Sequence, residues 1–288
     1  MKLYQITITF PGADPYSAGL LREVLTGMGV SLGNIVETMD IRSSGITVYF
    51  RLKQARDRIR KRILSLGLLN ARVRTSGVDE KNWVKKCALY NKPFTLNGDI
   101  RVIPAKPGAR FKAACPGERT IRLFINNVFG SGRHFTTCRL ALFLKTKKGD
   151  YASVMDVGSG TGLLCLVAGI YGAREVWAID IDKEAVKTAL ANFRLNKRSG
   201  FSSIAGDFYK FKKKKKFDMV IANLFTRDLV ALRDKLIGHV NGGKYLAVSG
   251  ISRGNYKYFR ENFDSPELKC LRVEKDKEWC AVLYRRKA

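Results

Sequence analysis

A glycine-rich turn between two apolar runs is the feature that most constrains this chain. Residues 153–182 read SVMDVGSGTGLLCLVAGIYGAREVWAIDID. The run at residues 154–157 carries Asp156 and enters three alternate glycines, and an apolar helical stretch then leads to a second run that ends on Asp180. Strand, glycine turn, helix and acid-terminated strand, in this order, predict the opening of a nucleotide-binding α/β sheet.

The glycine spacing distinguishes between classes of nucleotide. A dinucleotide fingerprint, G-x-G-x-x-G, holds a pyrophosphate against a helix N-terminus, but position 163 is Leu here. Asp156 would repel a pyrophosphate and attract a cationic amino acid that carries an ammonium and a sulfonium group. The order D-x-G-x-G-x-G, with an acidic residue 18 positions after the last Gly, resembles motif I and the following acidic loop of class I S-adenosylmethionine (SAM) methyltransferases.

The net charge favours polyanionic partners. The chain has 53 Lys and Arg against 25 Asp and Glu, which gives +28 at pH 7. Such an excess attracts RNA or the ribosome, although a lysine-biased composition or a solvated surface explains it equally well.

The sequence shows no membrane span, no signal peptide and no C-x-x-C pair, and these features bear on the location of the protein and its metal content. No apolar run reaches the roughly 18 to 20 residues of a membrane span, and the first residues begin an alternating strand rather than a signal peptide. Six cysteines form no C-x-x-C pair, as expected for reduced thiols. We therefore expect a cytoplasmic monomer without a metal site.

Residues 1–76 show a βαββαβ pattern, which predicts a ferredoxin-like domain. The predicted strands lie at residues 3–10, 35–40, 46–52 and 70–75, and the predicted helices at 16–28 and 54–66. The second helix and its approach are strongly basic, with Arg51, Lys53, Arg56, Arg58, Arg60, Lys61 and Arg62 beside a lone Asp57. This helix either contacts RNA phosphates or presents a solvated face.

A linker at residues 77–115 separates this domain from a second one. It contains a predicted helix at 79–91, an alternating stretch at 94–103 that turns at Asn97-Gly98, and the start of a Pro- and Gly-rich loop at 104–117. Residues 116–288 then alternate strands and helices, among them a helix at 228–236 and a strand at 243–249, and finish with a pair of strands. This order predicts a Rossmann-like, seven-stranded, mostly parallel sheet with helices on both faces.

Four motifs of this second domain give a more specific resemblance. They are FGSGRHFTT at residues 129–137, DVGSGTG at 156–162, AIDID at 178–182 and IANL at 221–224. With them, the sequence resembles the PrmA family, the methyltransferases of ribosomal large-subunit protein eleven. The resemblance implies that the small N-terminal domain grips the substrate protein and that the C-terminal domain binds SAM.

The resemblance also implies site residues. Those expected to contact SAM are Thr137, Gly158, Asp180 and Asn223, and those expected to line the methyl-transfer pocket are Phe129, His134 and Asn223. Asp180 would accept hydrogen bonds from the ribose hydroxyls. To these we add, as cofactor-binding candidates, Asp156, Gly160 and Gly162 of the turn and Asp207, which follows a short strand and would meet the adenine.

Methyl transfer from a sulfonium to an amine is an in-line displacement, so the enzyme must position its partners and present a neutral amine. Asn223 is the candidate that orients the amine lone pair, and a desolvated pocket would lower the amine pKa. His134 is either a proton acceptor or a structural hydrogen-bonding group. Residues 222–225, A-N-L-F, lack the prolines of the N-P-P-Y/F clamp that holds planar substrates, which favours a lysine side chain or an α-amine.

The alternative hypotheses of function differ in substrate or in whether the protein turns over at all. An enzyme of charge +28 would repel a free basic ribosomal protein, so its target would be locally acidic, bound to RNA or a different protein. An RNA methyltransferase is the second hypothesis, and a ribosome-binding module without turnover is the third. The partners expected first are ribosomal large-subunit protein eleven as substrate and rRNA through the basic surface.

Overall fold

The computed structural model divides the chain into two compact units, residues 1–90 and 91–288. The residues that it describes are 2–11, 21, 25, 28, 30, 35–40, 43–50, 52–65, 71–79, 92–105, 118–124 and 132–288. Most of the helices predicted at residues 79–91 and 16–28, most of the loop at 104–117, and Phe129 lie outside these residues, and Asp79 itself ends a strand.

The first unit contains an antiparallel sheet in the strand order β2-β3-β1-β4. Its elements are β1 (Lys2–Pro11), β2 (Ile35–Asp40), β3 (Ser43–Phe50), α1 (Lys53–Ser65) and β4 (Arg72–Asp79). Strand alternation buries Ile6 and Ile8, and α1 buries Ile59 and Ile63, which lie one turn apart, in the same core. This order of strands is that of the ferredoxin-like fold predicted from the sequence.

The second unit opens with a three-stranded sheet of β5 (Phe94–Leu96), β6 (Ile100–Ala105) and β7 (Arg119–Phe124). A tight turn joins β5 to β6, where Asn97 and Gly98 have φ of 50° and 80°. Two consecutive positive φ angles match the twist of an antiparallel pair, which explains the Asn-Gly sequence. β7 pairs with β6 in parallel, and its last residue, Phe124, leads towards the glycine-rich segment 129–137.

A seven-stranded sheet in the order β10-β9-β8-β11-β12-β14-β13 forms the centre of the second unit. Its strands are β8 (Ser153–Val157), β9 (Glu175–Asp180), β10 (Phe201–Ala205), β11 (Phe217–Asn223), β12 (Val240–Ser252), β13 (Leu268–Lys275) and β14 (Trp279–Arg286). The strands from β10 to β12 pair in parallel, and β14 is antiparallel to both of its neighbours. The predicted seven-stranded architecture is therefore confirmed.

Helices cover both faces of this sheet. They are α2 (Phe135–Thr146), α3 (Leu163–Ile170), α4 (Lys183–Leu195), α5 (Thr226–Ala231), α6 (Arg233–Gly238) and α7 (Tyr256–Phe263). Along β11, Met219 and Ile221 pack into the core on one face, and Val220 and Ala222 pack into the core on the other. Because both faces are buried, the strand is a continuous apolar run.

Two elements of the second unit differ most from their predicted bounds. The helix predicted at residues 228–236 is two short helices, α5 and α6, that meet at Leu232 (φ −95°, ψ 1°), which is buried. β12 extends well beyond the predicted 243–249, because β14 pairs with it as far as Ser252. Among the described residues, no helix combines the length and the apolar character that crossing a bilayer requires.

Candidate active site

The glycine turn follows β8 at the edge of the sheet where the parallel strands end. Gly158, Gly160 and Gly162 all have positive φ, at 75°, 53° and 74°. A Cβ on Gly158 would lie 2.6 Å from the Leu224 Cδ2 atom, so a side chain there would displace Leu224 in addition to straining the backbone. The Gly158 N–H donates to the Ile179 carbonyl at 2.8 Å, which ties the turn to β9. The turn is therefore compact backbone tied to β9, in which Gly158 is half-buried and Gly160 and Gly162 are buried.

Asp180, the last residue of β9, connects this turn to the chain that follows. Its Oδ2 accepts from the Gly160 N–H at 2.8 Å, and its Oδ1 accepts from the Asp182 N–H at 2.9 Å. Burial raises the pKa of Asp180 above its ordinary value, although these backbone hydrogen bonds act in the opposite direction. Each carboxylate oxygen has further lone pairs, so Asp180 can hold the turn and still accept hydroxyl groups.

The end of β10 lies next to Asp180. The Gly206 N–H donates to the Asp180 carbonyl at 2.9 Å. Asp207 follows, and its Oδ1 accepts from the Tyr209 N–H at 2.9 Å, which caps the short helical turn Phe208–Lys210. Asp207 is half-buried at the same edge of the sheet, where the sequence predicts the adenine.

Asp156 lies within β8, beneath the glycine turn, and is 1% exposed. Its Oδ2 accepts from the Cys165 thiol, with an Sγ to Oδ2 distance of 3.4 Å. Its Oδ1 is buried and has no hydrogen-bond partner in the part of the chain that the structure describes. Burial raises the pKa of Asp156 to about 7, and the nearby Asp180 charge adds to this effect. A cationic ligand above the turn would favour the ionised carboxylate.

The raised pKa predicts a pH-dependent stability of the protein without cofactor. Because the folded pKa of about 7 exceeds the ordinary 3.8, the free energy of unfolding falls as the pH rises between these values. The loss is on the order of a few kcal/mol, since one pKa unit corresponds to about 1.4 kcal/mol. Asp156→Asn, which stays neutral, is expected to gain stability relative to the wild type between pH 5 and pH 8. Thermal unfolding measured across this range checks it.

The control for this experiment is Asp218→Asn. Burial tends to raise the pKa of Asp218, but hydrogen bonds from the Ala152 N–H and the Asn241 amide leave it below its ordinary value. Asp218 is thus ionised in both the folded and the unfolded chain above pH 5. Its replacement should change stability by an amount that does not vary from pH 5 to pH 8. If the difference in stability between Asp156→Asn and the wild type were equally independent of pH, the prediction would be wrong.

His134 begins α2 as its N-terminal cap. The His134 Nδ1 accepts from the Thr136 N–H at 3.4 Å and lies 2.9 Å from the Thr136 Oγ1. The His134 ring meets the Trp279 ring edge to face, with centroids 5.3 Å apart. Burial lowers the pKa of His134, and the carboxylates of Asp276 and Glu278 oppose this shift without reversing it. The lowered pKa favours the neutral imidazole, and the hydrogen bond that Nδ1 accepts from the Thr136 N–H favours the tautomer with its proton on Nε2.

Asn223 ends β11 and meets the first turn of α2. Its Nδ2 donates to the Thr136 Oγ1 at 3.2 Å. The sheet register places Ala222 opposite Val157, so Asn223 is level with Gly158 on the neighbouring strand. Thr137 is buried in the same turn of α2. The predicted site residues that the structure describes thus lie on the ends of β8 to β11 and on the start of α2.

A sequence model of the family described as "Ribosomal protein L11 methyltransferase (PrmA)" matches residues 30–287. This match covers most of both units. The chain belongs to this family. The predicted resemblance to the PrmA family is therefore confirmed.

Individual relatives are similar along most of this chain. A ribosomal protein L11 methyltransferase of Caldanaerobacter subterraneus subsp. tengcongensis is 29% identical over 218 residues, which are 76% of this chain and 69% of that protein. One of Acetivibrio thermocellus is 30% identical over 208 residues, which are 72% of this chain and 65% of that protein. The matches thus span about two thirds of the length of these relatives.

A solved structure supports the fold of this PrmA family member. The crystal structure of a ribosomal protein L11 methylase from Lactobacillus delbrueckii subsp. bulgaricus aligns with a TM-score of 0.61 and 23% sequence identity. The alignment covers 68% of this chain and 99% of that one. The class I methyltransferase fold predicted from the glycine motif is thus confirmed.

The loop after β11 is fixed by contacts that the sequence did not indicate. The Leu224 N–H donates to the Ser249 carbonyl of β12 at 3.1 Å. Gly250 follows with a φ of 89°, and a Cβ on it would overlap the Leu224 carbonyl oxygen. The PrmA-like I-A-N-L motif is thus held between Gly158 on one side and Gly250 on the other. Gly250 belongs to no recognisable sequence motif. In the structure, the register of β12 against β14 shifts at this residue.

Asn192 of α4 links the three-stranded sheet to the glycine turn. This fully buried side chain donates from Nδ2 to the Thr161 carbonyl at 2.9 Å, and its Oδ1 accepts from the Phe124 N–H at 2.7 Å. Phe124 ends β7 and precedes the glycine-rich segment of the PrmA family. One amide therefore aligns the turn with the strand that leads to α2.

Proposed function

We propose that this PrmA family member transfers methyl groups from SAM to amines of a ribosomal large-subunit protein. The observation that carries the proposal is the placement of Asn223 beside the glycine turn. Its Nδ2 is engaged by Thr136, and its Oδ1 has no hydrogen-bond partner among the described residues. A carbonyl oxygen presented in this way matches the N–H of a neutral amine.

The residues at the sheet edge fit SAM. When bound, SAM supplies an electrophilic methyl group on a positively charged sulfur that leaves as a neutral thioether. Gly158 would let the amino-acid end of SAM approach the backbone, and the Asp180 carboxylate would accept hydrogen bonds from the ribose hydroxyls. The unpartnered oxygen of Asp156 supplies negative potential beneath the turn. The same carboxylate would repel a pyrophosphate, so the site favours a sulfonium cofactor over a dinucleotide.

The chain performs its part of the reaction by positioning. Asn223 accepts a hydrogen bond from the amine through Oδ1, which directs the amine lone pair. The half-buried environment at the end of β11 lowers the pKa of the amine by disfavouring its ammonium form. His134 is occupied at Nδ1 and protonated at Nε2, so its geometry supports a structural role rather than that of a proton acceptor.

The substrate class follows from the same loop. The segment at residues 222–225 contains Leu224 and Phe225 where the clamp for planar nitrogens would have prolines. An sp³ amine needs no flat surface on which to stack. We therefore favour a lysine side chain or an α-amine of ribosomal protein L11, and we place the enzyme in the cytoplasm with its substrate.

The basic surface supports an additional contact with rRNA. The exposed cations of α1 are Lys53, Arg58, Arg60, Lys61 and Arg62. The one acidic residue of that helix, Asp57, is paired with Arg56 at 2.7 Å. In the second unit, the lysines at residues 212–216 are all exposed, and Lys213 lies over the Trp177 ring at 4.8 Å. Binding to RNA would bring a basic substrate protein to a basic enzyme without direct repulsion.

Tritiated SAM tests this function. It is offered to the enzyme with purified ribosomal protein L11, with large-subunit rRNA, and with both together. We expect label in the protein, recovered after acid hydrolysis as methylated lysine or a methylated α-amine, and more label when the RNA is present. Label in the RNA alone would reject the proposal in favour of an RNA methyltransferase. Absence of label, with SAM bound, would favour a module without turnover.

A further inference from the structure

Thr136 is a buried hydroxyl between two residues of the candidate pocket. It lies in the first turn of α2 and is 2% exposed. Its Oγ1 accepts from the Asn223 Nδ2 at 3.2 Å and lies 2.9 Å from the His134 Nδ1. Thr136 thus joins α2 to β11 across 87 residues of sequence.

The directions of these hydrogen bonds are determined by proton count. The His134 Nδ1 accepts the Thr136 backbone N–H, so this nitrogen carries a lone pair and no proton. The nearby Thr136 hydroxyl must then donate to Nδ1, because two acceptors cannot share a hydrogen bond. A hydroxyl has a single proton, so it can only accept from Asn223. The Asn223 group that faces Thr136 is therefore the NH₂.

The orientation of Asn223 decides which of its groups meets a ligand. An amide has an acceptor oxygen on one side and a donor nitrogen on the other. If the amide were reversed, the NH₂ group would face the substrate and would compete for the lone pair of the amine. With Nδ2 held by Thr136, Oδ1 is the group left for the substrate.

We propose that Thr136 is a positioning residue for methyl transfer, whose hydroxyl, oriented by His134, holds the Asn223 amide with its carbonyl oxygen towards the amine. This inference rests on the proposed function. It assigns His134 the task of orienting the hydroxyl, and it gives Thr136 a role distinct from that of its neighbour Thr137.

The test compares Thr136→Val, Thr136→Ser and Thr136→Ala. Valine keeps the shape without the hydroxyl, and serine keeps the hydroxyl without the methyl group. We expect kcat for amine methylation to fall about 10- to 100-fold in the valine and alanine variants, as positioning errors near 1 Å do. Serine should restore kcat to near the wild-type value. The SAM Kd should change less than about three-fold in each, because the Thr136 hydroxyl contacts neither Asp180 nor the glycine turn, on which the proposed SAM site mainly depends.

Thr146→Val is the matched control. This threonine ends the same helix, is exposed and donates only to the Phe143 carbonyl at 2.9 Å. We expect unchanged kcat. Thermal unfolding of each variant shows whether it folds. The Thr136→Ser and Thr136→Ala variants differ only in the hydroxyl, so comparing their kcat values tests the inference even if the valine variant is unstable.

A double-mutant cycle separates positioning from general stability. In an Asn223→Ala background, Thr136→Val should lower kcat no further, because no amide remains to be oriented. Equal losses in both backgrounds, or full activity of Thr136→Val alone, would overturn the inference. If the wild-type enzyme methylates no ribosomal protein, the proposed function fails instead, so the two failures are distinguishable.

Discussion

Asn223→Ala is expected to lower kcat for amine methylation by about 100- to 1,000-fold, the range typical of removing one preorganised polar contact from an active site. Alanine removes the Oδ1 that orients the amine and also the donor to Thr136. Since the proposed site holds SAM mainly through Asp180 and the glycine turn, the SAM Kd should rise only several-fold. Single-turnover kinetics with calorimetric titration of SAM measure the two effects separately.

The control is Asn262→Ala. Asn262 is exposed on α7, where its Nδ2 donates to the Tyr258 carbonyl at 2.8 Å. This variant should keep wild-type kcat and SAM affinity. An Asn223→Ala enzyme with kcat within about three-fold of the wild type would remove Asn223 from the proposed mechanism, because a positioned contact contributes more than that.

Asp180→Asn is expected to weaken SAM binding by about 100-fold or more, since each hydrogen bond to a charged group contributes about 1.5 to 3 kcal/mol. The amide keeps the size of the side chain, but its nitrogen cannot accept a hydrogen bond. One of the two backbone donors, Gly160 or Asp182, therefore loses its acceptor. In the proposed site the ribose loses an acceptor as well, whereas the Gly158 N–H bond to the Ile179 carbonyl still ties the turn to β9.

Equilibrium binding of SAM to Asp180→Asn, measured beside the control Asp182→Asn, checks this prediction. Asp182 caps α4 by accepting from the Glu184 N–H at 2.9 Å. Asn is as good a helix cap as Asp, so this variant should bind SAM normally. If Asp180→Asn retained SAM affinity within about three-fold of the wild type, the ribose assignment would be wrong, because loss of charged acceptors costs more.

The backbone around the glycine turn is predictable from the sequence. β8, α3 and β9 occur close to their predicted places, because apolar runs and the three glycines act locally. The position of Asp180 at the end of β9 follows from the same pattern. The break at Leu232 was not predictable, since the residues on both sides of it have the periodicity of one helix.

The contacts that orient side chains were not predictable. Thr136 and Asn223 are far apart in sequence, and the direction of their hydrogen bond depends on the tautomer of His134. Gly250 has no local motif, because its need for a positive φ comes from the Leu224 carbonyl of another loop. Such requirements arise only when elements pack, so a single sequence does not display them.

The lysines at residues 212–216 precede β11, whereas Asn223 ends it. Seven residues of extended strand separate the two by about 20 Å. Substitutions that add or remove charge in this loop can therefore accumulate without disturbing the pocket. The proposed contact with RNA and the turnover are thus open to independent adjustment, by evolution or by a protein engineer who replaces the loop.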